Sequence, residues 1–404
     1  YRKVYSLYEA EQNLATTQGY GLLRAGPASH CWSLGAAQRK PIYNVLNQWF
    51  DIPLPSEGEI NNPRKAIKRI PDSNLTCITP EVSSRLNRKA LHEIIRGKAI
   101  NILKSARGNR LTMSVNSARH ELKRDLIDLL ADIEPVQLPE YEHLWSQDLS
   151  GANVEALTIK PEPGIIIPVF IIKPEGCESE QVPLVIALSE NGKEGFLKSR
   201  SKAIERLIQN EIAVCMIDVR GTGETAPDQY NRSDNLASKE LELGKTLIGL
   251  RLKDVRTVIE FIKTRKDFDY NKMALWGDSF APVNKQEIWI DELQGKPVSP
   301  QIQHYASPLG AHLALLTALY HNEIRAVALR GGLISYISIL ESNFSYVPPG
   351  ITIPGILKVA DVSDFCANLA PKPLFIEKFV DGRNFIPDSE RLYDELNHVE
   401  KAYQ

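Results

Sequence analysis

The second half of the chain alternates between short apolar runs and amphipathic segments. From about residue 165, apolar runs are separated by polar loops and by segments in which apolar residues recur every three or four positions. Such runs are typical of buried strands, and this periodicity is typical of helices packed on a sheet. Strands are predicted at residues 165–172, 183–188, 212–217, 273–276, 326–329 and 373–377, and helices at residues 203–209, 247–263 and 309–320. The order predicts an α/β fold with a doubly wound, mostly parallel sheet.

Residues 51–149 follow a different pattern. A Pro-rich linker extends to about Pro80, and charged helices are predicted at 91–103 and 118–133, so this region is expected to be a helical annex. His92, His120 and His143 fall in it without partners at metal-ligand spacing, and no chemistry is assigned to them.

Composition and charge narrow the class of protein. The 404 residues are 43% hydrophobic and 24% charged, with a formal net charge of −2, as in soluble globular proteins. Such a charge does not attract nucleic acid or anionic lipid, so neither is an expected partner and a small-molecule substrate is favoured. No apolar stretch is long enough to span a bilayer, and the first residue is not Met. We therefore expect a soluble protein that is cytoplasmic or exported after processing.

The cysteines give no sign of a metal site. They are scattered, form no Cys-x-x-Cys pair and have no metal-ligand spacing with histidine, and they number five: Cys31, Cys77, Cys177, Cys215 and Cys366. Neither a metal nor an organic cofactor is expected.

The segment Leu275-Trp276-Gly277-Asp278-Ser279-Phe280-Ala281 contains the candidate nucleophile. Serine hydrolases of the α/β type place the serine on a tight, strained turn between a strand and a helix. Ser279 follows a predicted strand, and Gly277 removes a Cβ where such a turn leaves little room. The alternative is an ordinary Gly-Asp-Ser surface turn.

A polar insertion follows the candidate nucleophile. Pro282-Val283-Asn284 and a segment through Trp289 and Gln303 replace the expected helix, which resumes near Ser307-Pro308-Leu309-Gly310. The insertion is either a flap that gates substrate or a distortion that marks a protein without catalysis.

The other catalytic groups must come from loops at the carboxyl ends of strands. Asp381, in the loop after strand 373–377, is the candidate acid, with Glu377 as an alternative; a structural Asp-Gly turn is the competing interpretation. The oxyanion hole is predicted to use the backbone N–H of Phe280 and that of Glu190, in the loop after strand 183–188.

The histidine is displaced in chain order. His398 alone follows Asp381, within a predicted exposed helix at 388–404. At the other end, a helix at 1–13, a short strand at 20–23, a loop at 26–30 and an amphipathic helix at 41–50 match the last strand, histidine loop and last helix of a hydrolase core. His30 is therefore the candidate base.

The two ends of the chain also resemble each other in sequence. The last six residues, Val-Glu-Lys-Ala-Tyr-Gln, resemble the first six, Tyr-Arg-Lys-Val-Tyr-Ser. Two hypotheses follow: a circular permutation in which His30 completes its own site, or one period of a tandem hydrolase array in which His30 belongs to a neighbouring unit.

Several segments together resemble the acetylxylan-esterase and dienelactone-hydrolase-like branch of the α/β-hydrolases. Asp218-Val219-Arg220-Gly221-Thr222-Gly223-Glu224 is similar to the strand-end D-x-R-G-x-G motif of those esterases and of prolyl-oligopeptidase-type peptidases, and the helix with Asp254-Val255-Arg256 follows it. The resemblance covers residues 156–404 and 1–51. It implies Ser279 as nucleophile, Asp381 as acid and His30 as base, and a mainly structural role for Arg220.

Three functions follow from these features. The leading hypothesis is a serine esterase of short acyl or carbohydrate esters. The alternatives are an inactive hydrolase-like module for binding or assembly, which self-associates or joins a neighbouring hydrolase unit, and a serine peptidase of the prolyl-oligopeptidase type. The expected division of the chain is 1–50 for the last strand, histidine loop and helix, 51–149 for the linker and annex, and 150–404 for the core.

Overall fold

A computed structural model of the chain describes residues 1–17, 36–62, 70–86, 88–177, 181–227, 233–285 and 304–404. These residues form two compact units, Tyr1–Arg88 and Lys89–Gln404. Among the described helices, none is long and apolar enough to cross a membrane.

The first unit is helical throughout its described part. Its helices are α1 (Arg2–Ser6), α2 (Ala36–Phe50), α3 (Glu57–Asn61), α4 (Asp72–Leu75) and α5 (Pro80–Arg85). The helix predicted at 1–13 is shorter, because α1 ends at Ser6 and only a single 3-10 turn, Glu11–Asn13, follows. The strand predicted at 20–23 and the loop at 26–30, with His30, lie outside the described residues.

The second unit is an eight-stranded mixed sheet with helices around it. Its strands are β1 (Glu140–Leu149), β2 (Ala152–Glu162), β3 (Ile165–Pro174), β4 (Val182–Leu188), β5 (Ala213–Ile217), β6 (Phe268–Gly277), β7 (Ile324–Arg330) and β8 (Leu374–Glu377). Its helices are α6 (Leu91–Leu111), α7 (Val115–Leu130), α8 (Gly192–Gln209), α9 (Ser233–Glu242), α10 (Leu247–Thr264), α11 (Leu309–Tyr320), α12 (Val362–Asn368) and α13 (Ser389–Tyr403).

The sheet order places β6, the strand before Ser279, between two parallel neighbours. The order is β1-β2-β3-β5-β4-β6-β7-β8, and the pairs from β5 to β8 are parallel, whereas β1, β2 and β3 pair antiparallel. All five residues of β5 are buried, as expected of a central strand covered on both faces. All six predicted strands are present; the largest difference is in β6, which begins at Phe268, five residues before the predicted start at 273.

The sequence does not predict two of the strands, β1 and β2, and they move the start of the sheet. Every residue of β1 is exposed, so the strand lacks the apolar alternation that would reveal it. It pairs with β2 along its length, so the sheet begins at Glu140 rather than at residue 150. The annex helix α7 also buries Leu122, Leu126 and Leu130 in the main core, so this helix is part of the sheet's own packing.

Glu395 on α13 provides a pH-dependent contribution to stability. It lines a cavity of about 520 Å³ beside α6. Burial, followed by the negative charge of Asp361, raises the pKa of Glu395 from 4.5 to about 7. The folded chain therefore binds this proton more tightly than the unfolded chain, and the resulting stabilisation, complete below the unfolded pKa of 4.5, is lost as the pH rises through about 7.

We expect Glu395→Gln to stabilise the protein at pH 8 by roughly 1–2 kcal/mol, allowing for partial solvent screening, and to leave stability at about pH 4 nearly unchanged. Urea unfolding at the two pH values measures this difference. Glu400→Gln, at an exposed position of the same helix, is the control. An equal effect of Glu395→Gln at both pH values would contradict the prediction.

Candidate active site

Ser279 lies just beyond the carboxyl end of β6, where loops of neighbouring parallel strands converge. Close backbone packing surrounds this strand end. A Cβ on Gly277 would lie 2.3 Å from the carbonyl oxygen of Gly310, and one on Gly310 would lie 2.1 Å from that of Leu188. Glycine is therefore required at both positions for α11 to begin directly behind the strand.

The helix predicted to follow the candidate nucleophile, Ser279, is displaced in sequence but begins directly behind the strand. The order Gly277-Asp278-Ser279 followed by Leu309-Gly310 is that of a G-x-S-x-G turn, with the predicted insertion after Ala281 lying between its two parts. The strained turn predicted at Ser279 is not formed, since Ser279 is absent from the described non-glycine residues with positive φ. The inserted residues allow the chain to leave Ser279 without turning at once into a helix.

The buried carboxylate of Asp278 holds the backbone at Ser279 in place. Its carboxylate is fully buried and accepts hydrogen bonds from Arg200 Nε at 2.7 Å and Arg200 Nη2 at 3.1 Å, and from the backbone N–H of Ser279 at 2.8 Å. The Arg200 guanidinium also lies 5.1 Å from the ring centroid of Phe280, which packs edge-on against Phe196. The residues on both sides of Ser279 are thus held to α8.

The Ser279 side chain borders a cavity of about 210 Å³. Other residues that line it are Val283, Arg330, Gly331, Lys378 and Asn384. No hydrogen bond to the Ser279 hydroxyl is formed by the part of the chain that the structure describes. The hydroxyl is therefore available to a base and a substrate that approach through this cavity.

Asp381 is buried in the loop after β8, and other residues of that loop, Lys378, Val380 and Asn384, line the cavity. Its Oδ1 accepts hydrogen bonds from the N–H groups of Arg383 and Phe385, both at 2.9 Å, and its Oδ2 is 3.7 Å from Arg391 Nη1. The carboxylate therefore shapes its own loop, and no histidine of the described ranges is bonded to it. The alternative acid, Glu377, instead pairs with Arg330 at 3.1 Å.

Hydrogen bonds join the loop of Asp381 to the segment after Ser279. The N–H of Asn284 donates to the carbonyl of Asn384 at 2.9 Å, and Asn384 Nδ2 donates to the carbonyl of Pro282 at 2.9 Å. The structure thus brings the loop of Asp381 to the same cavity as Ser279.

The sequence analysis did not identify the basic residues of this cavity, or its residues with a left-handed backbone conformation. Arg330 ends β7, and Lys378 follows β8 directly, so their positions at the carboxyl ends of strands could have indicated them. Lys378 and Asn384 have φ values of 52° and 62°. Left-handed non-glycine residues store strain and are frequent at functional sites.

The remaining predicted site residues are elsewhere or undescribed. His30 lies outside the described residues. His398, which the sequence does not favour as a base, is on α13 with its Nε2 3.4 Å from Asp364. The charge of Glu190 acts on Arg251, a fully buried guanidinium whose pKa burial lowers to about 10 against the opposing effect of Glu190. The Glu190 side chain thus interacts electrostatically with Arg251. Its backbone N–H remains the predicted oxyanion donor.

One cluster has the composition of a metal site. Ligand atoms of Glu260, His321 and Glu323 lie within 4.8 Å of one another. Lys263 Nζ, however, is 2.9 Å from Glu260 and 3.5 Å from Glu323, so a lysine already neutralises the carboxylates. The cluster is an ion-pair network at the amino end of β7, away from Ser279.

Gly331 provides a test of how tightly Ser279 is enclosed. A Cβ at Gly331 would lie 2.5 Å from Ser279 Cβ and 3.1 Å from its Oγ, and Gly331 has φ +66°. We expect Gly331→Ala to slow modification of Ser279 by a fluorophosphonate about 10-fold or more, because the added methyl group displaces the Ser279 side chain.

The control for Gly331→Ala is Gly164→Ala. Gly164 has a similar φ of +81° but nothing within 4 Å of an added Cβ, so it reproduces the backbone strain without the contact. An unchanged rate of modification in Gly331→Ala would show that this enclosure does not position Ser279.

Comparisons with known proteins identify the fold. No family profile and no curated protein matches the chain. Among solved structures, a Bacteroides fragilis protein assigned as an acetyl xylan esterase is similar, with 17% identity, a TM-score of 0.54 and coverage of 72% of this chain and 73% of that one. A glucuronoyl esterase from Solibacter usitatus is 12% identical, with a TM-score of 0.45 and coverage of 70% and 79%.

The fold assignment rests on the Bacteroides fragilis structure. At this identity the similarity establishes the architecture: the chain contains an α/β-hydrolase fold, with a mixed eight-stranded sheet.

Proposed function

We propose that this protein is a serine hydrolase of carboxylic esters, with Ser279 as the nucleophile and Asp381 as the acid. The observation that carries the proposal is the position of Ser279 at the carboxyl end of β6, facing a cavity whose other wall is the Asp381 loop. Nucleophile and acid come from the same two strand ends that supply them in other hydrolases of this fold. Short acyl or carbohydrate esters are the proposed substrates, in line with the esterase assignment of the Bacteroides fragilis structure.

The proposed reaction proceeds through an acyl-enzyme. Ser279 Oγ attacks the ester carbonyl carbon while the base removes its proton, and the N–H groups of Phe280 and Glu190 stabilise the oxyanion. The alcohol leaves with the proton that the base returns. Water, deprotonated by the same base, then attacks the acyl-enzyme and releases the carboxylic acid and the serine. No cofactor takes part.

His30 is the proposed base, because the pattern of the first fifty residues resembles the last strand, histidine loop and last helix of a hydrolase core. Whether it completes the site within one chain, as in a permuted protein, or between repeated units is part of the test below.

The test is labelling of the full chain by a fluorophosphonate, with the adduct located by peptide mass spectrometry, and hydrolysis of short p-nitrophenyl esters. We expect the adduct on Ser279 and loss of both labelling and turnover in His30→Ala. The control is His120→Ala, because His120 is exposed and its ring bonds only its own helix, at Asn116 O. A wild-type specific activity that falls when the protein is diluted would favour a base supplied by another copy of the chain.

A second function has two specific observations in its favour. The backbone of Ser279 lacks positive φ, and Asp381 is bonded to its own loop and faces Arg391. These features suit an inactive hydrolase-like module for binding or assembly. A folded wild-type chain that neither labels nor hydrolyses esters would make this the leading function.

A further inference from the structure

The cavity beside Ser279 carries positive charge. Within the described structure its only charged lining residues are Arg330, which is half-buried, and Lys378, which is exposed. The other lining side chains are neutral, and Val283 and Val380 make part of the wall apolar. A ligand that enters this cavity therefore meets two cations, and no carboxylate among the described residues that line it.

One of these two cations is already neutralised. Arg330 Nη1 donates to Glu377 Oε2 at 3.1 Å, and Arg330 Nε is 3.7 Å from Asp278 Oδ1. Asp278 is itself bonded to Arg200. Lys378, in contrast, forms no ion pair with any residue that the structure describes. Three cations of this group thus face two carboxylates, and one positive charge is left for a ligand.

The backbone fixes the position of Lys378 next to the end of β7. The N–H of Gly331 donates to the carbonyl of Glu377 at 2.9 Å, and the N–H of Val380 donates to the carbonyl of Gly332 at 2.8 Å. These bonds lie on either side of Lys378, whose φ of 52° turns the chain between them. A left-handed lysine stores strain that the surrounding structure must hold. The lysine is therefore held beside Gly331, the residue that packs against the candidate nucleophile.

We propose that Lys378 is a specificity-determining residue that selects esters whose acyl group carries a carboxylate, such as half-esters of short dicarboxylic acids. The inference rests on the proposed function, because Ser279 becomes bonded to the acyl carbon and so keeps the acyl group beside this cavity. A lysine ammonium binds a carboxylate through charge-assisted hydrogen bonds.

The size of the cavity agrees with a short acyl group. A volume of about 210 Å³ has room for about seven groups of the size of a water molecule. A succinyl group is of that size. The reaction is the ester hydrolysis already proposed: water is added, the ester C–O bond breaks, and the alcohol and a dicarboxylate are released. The second carboxylate serves for binding only and is unchanged by the reaction.

Two methyl esters of equal chain length test this selectivity. Monomethyl succinate carries a carboxylate where methyl butyrate carries a methyl group, and the methanol that both release gives kcat/KM. We expect the full chain to prefer monomethyl succinate, and the ratio of the two kcat/KM values to fall about 10-fold or more in Lys378→Gln. Lys378→Arg keeps the charge and should retain most of the preference. Lys401→Gln, at an exposed position of α13, is the control and should leave the ratio unchanged.

Equal kcat/KM values for the two esters, or a ratio that Lys378→Gln leaves unchanged, would overturn the proposal, while hydrolysis of methyl butyrate would leave the esterase function standing. Binding to Ser279→Ala, measured by ligand-observed NMR titration, decides the question where neither ester is hydrolysed. Tighter binding of monomethyl succinate that is lost in Ser279→Ala/Lys378→Gln would support the anion site without the esterase. Equal binding of the two esters would overturn it.

Discussion

Replacing Ser279 by Ala is expected to lower ester turnover by about 10³-fold or more and to abolish fluorophosphonate labelling, since Ser279 is the proposed site of the acyl-enzyme. The free energy of unfolding should change little, because the Ser279 hydroxyl makes no hydrogen bond within the described structure. A loss of activity without a loss of stability is the signature of a nucleophile rather than of a structural serine. Initial rates with p-nitrophenyl acetate and urea unfolding measure the two quantities.

The control for this prediction is Ser199→Ala. Ser199 is an exposed serine on α8, next to Arg200, and its replacement should leave both turnover and labelling unchanged. Turnover that persists in Ser279→Ala at the wild-type rate would remove Ser279 from the mechanism. It would then direct attention to another nucleophile, while the fold assignment would stand.

The sequence could predict the strands whose side chains are mostly buried. β4, β5, β7 and β8 have short apolar runs because both of their faces, or at least one, meet the core. β1 could not be predicted, because its stability comes from backbone pairing with β2 and its side chains are all exposed. Patterns of hydrophobicity do not report a strand of that kind.

The sequence could predict which strand ends carry the candidate site, but not the distances and backbone conformations within it. The rule that loops at the carboxyl ends of parallel strands converge was sufficient to select Ser279 and Asp381. The close packing of Gly277 against Gly310 could not be predicted from the sequence. The insertion separates the two residues in the chain, and their contact depends on where the chain comes back to the sheet after it. The backbone conformation of Ser279 is likewise set by tertiary structure.

Replacing Asp254 by Ala is expected to destabilise the protein by about 3–5 kcal/mol, because it leaves the Arg220 guanidinium buried without its main counter-charge. Asp254 Oδ1 is 2.6 Å from Arg220 Nη2, and Asp254 Oδ2 accepts from Arg220 Nε and from the Arg220 backbone N–H at 2.9 and 3.0 Å. The Asp254 and Arg220 side chains are 0% and 10% exposed. Burial alone would lower the pKa of Arg220, but its bonds with Asp254 and Glu162 raise it.

The control distinguishes a costly unpaired charge from a strongly stabilising pair. The double variant Arg220→Met/Asp254→Leu should recover much of the stability that Asp254→Ala loses, because apolar residues of similar volume need no counter-charge. Glu194→Ala, which breaks the exposed pair with Lys198, should shift the urea midpoint far less than Asp254→Ala does, because solvent screens exposed ion pairs. Urea midpoints of the three variants measure the differences. An Asp254→Ala variant that lost no more stability than Glu194→Ala would contradict the prediction. Glu162 alone would then compensate the buried Arg220 guanidinium, and the backbone turns of residues 218–224, not this ion pair, would determine the structure of the motif.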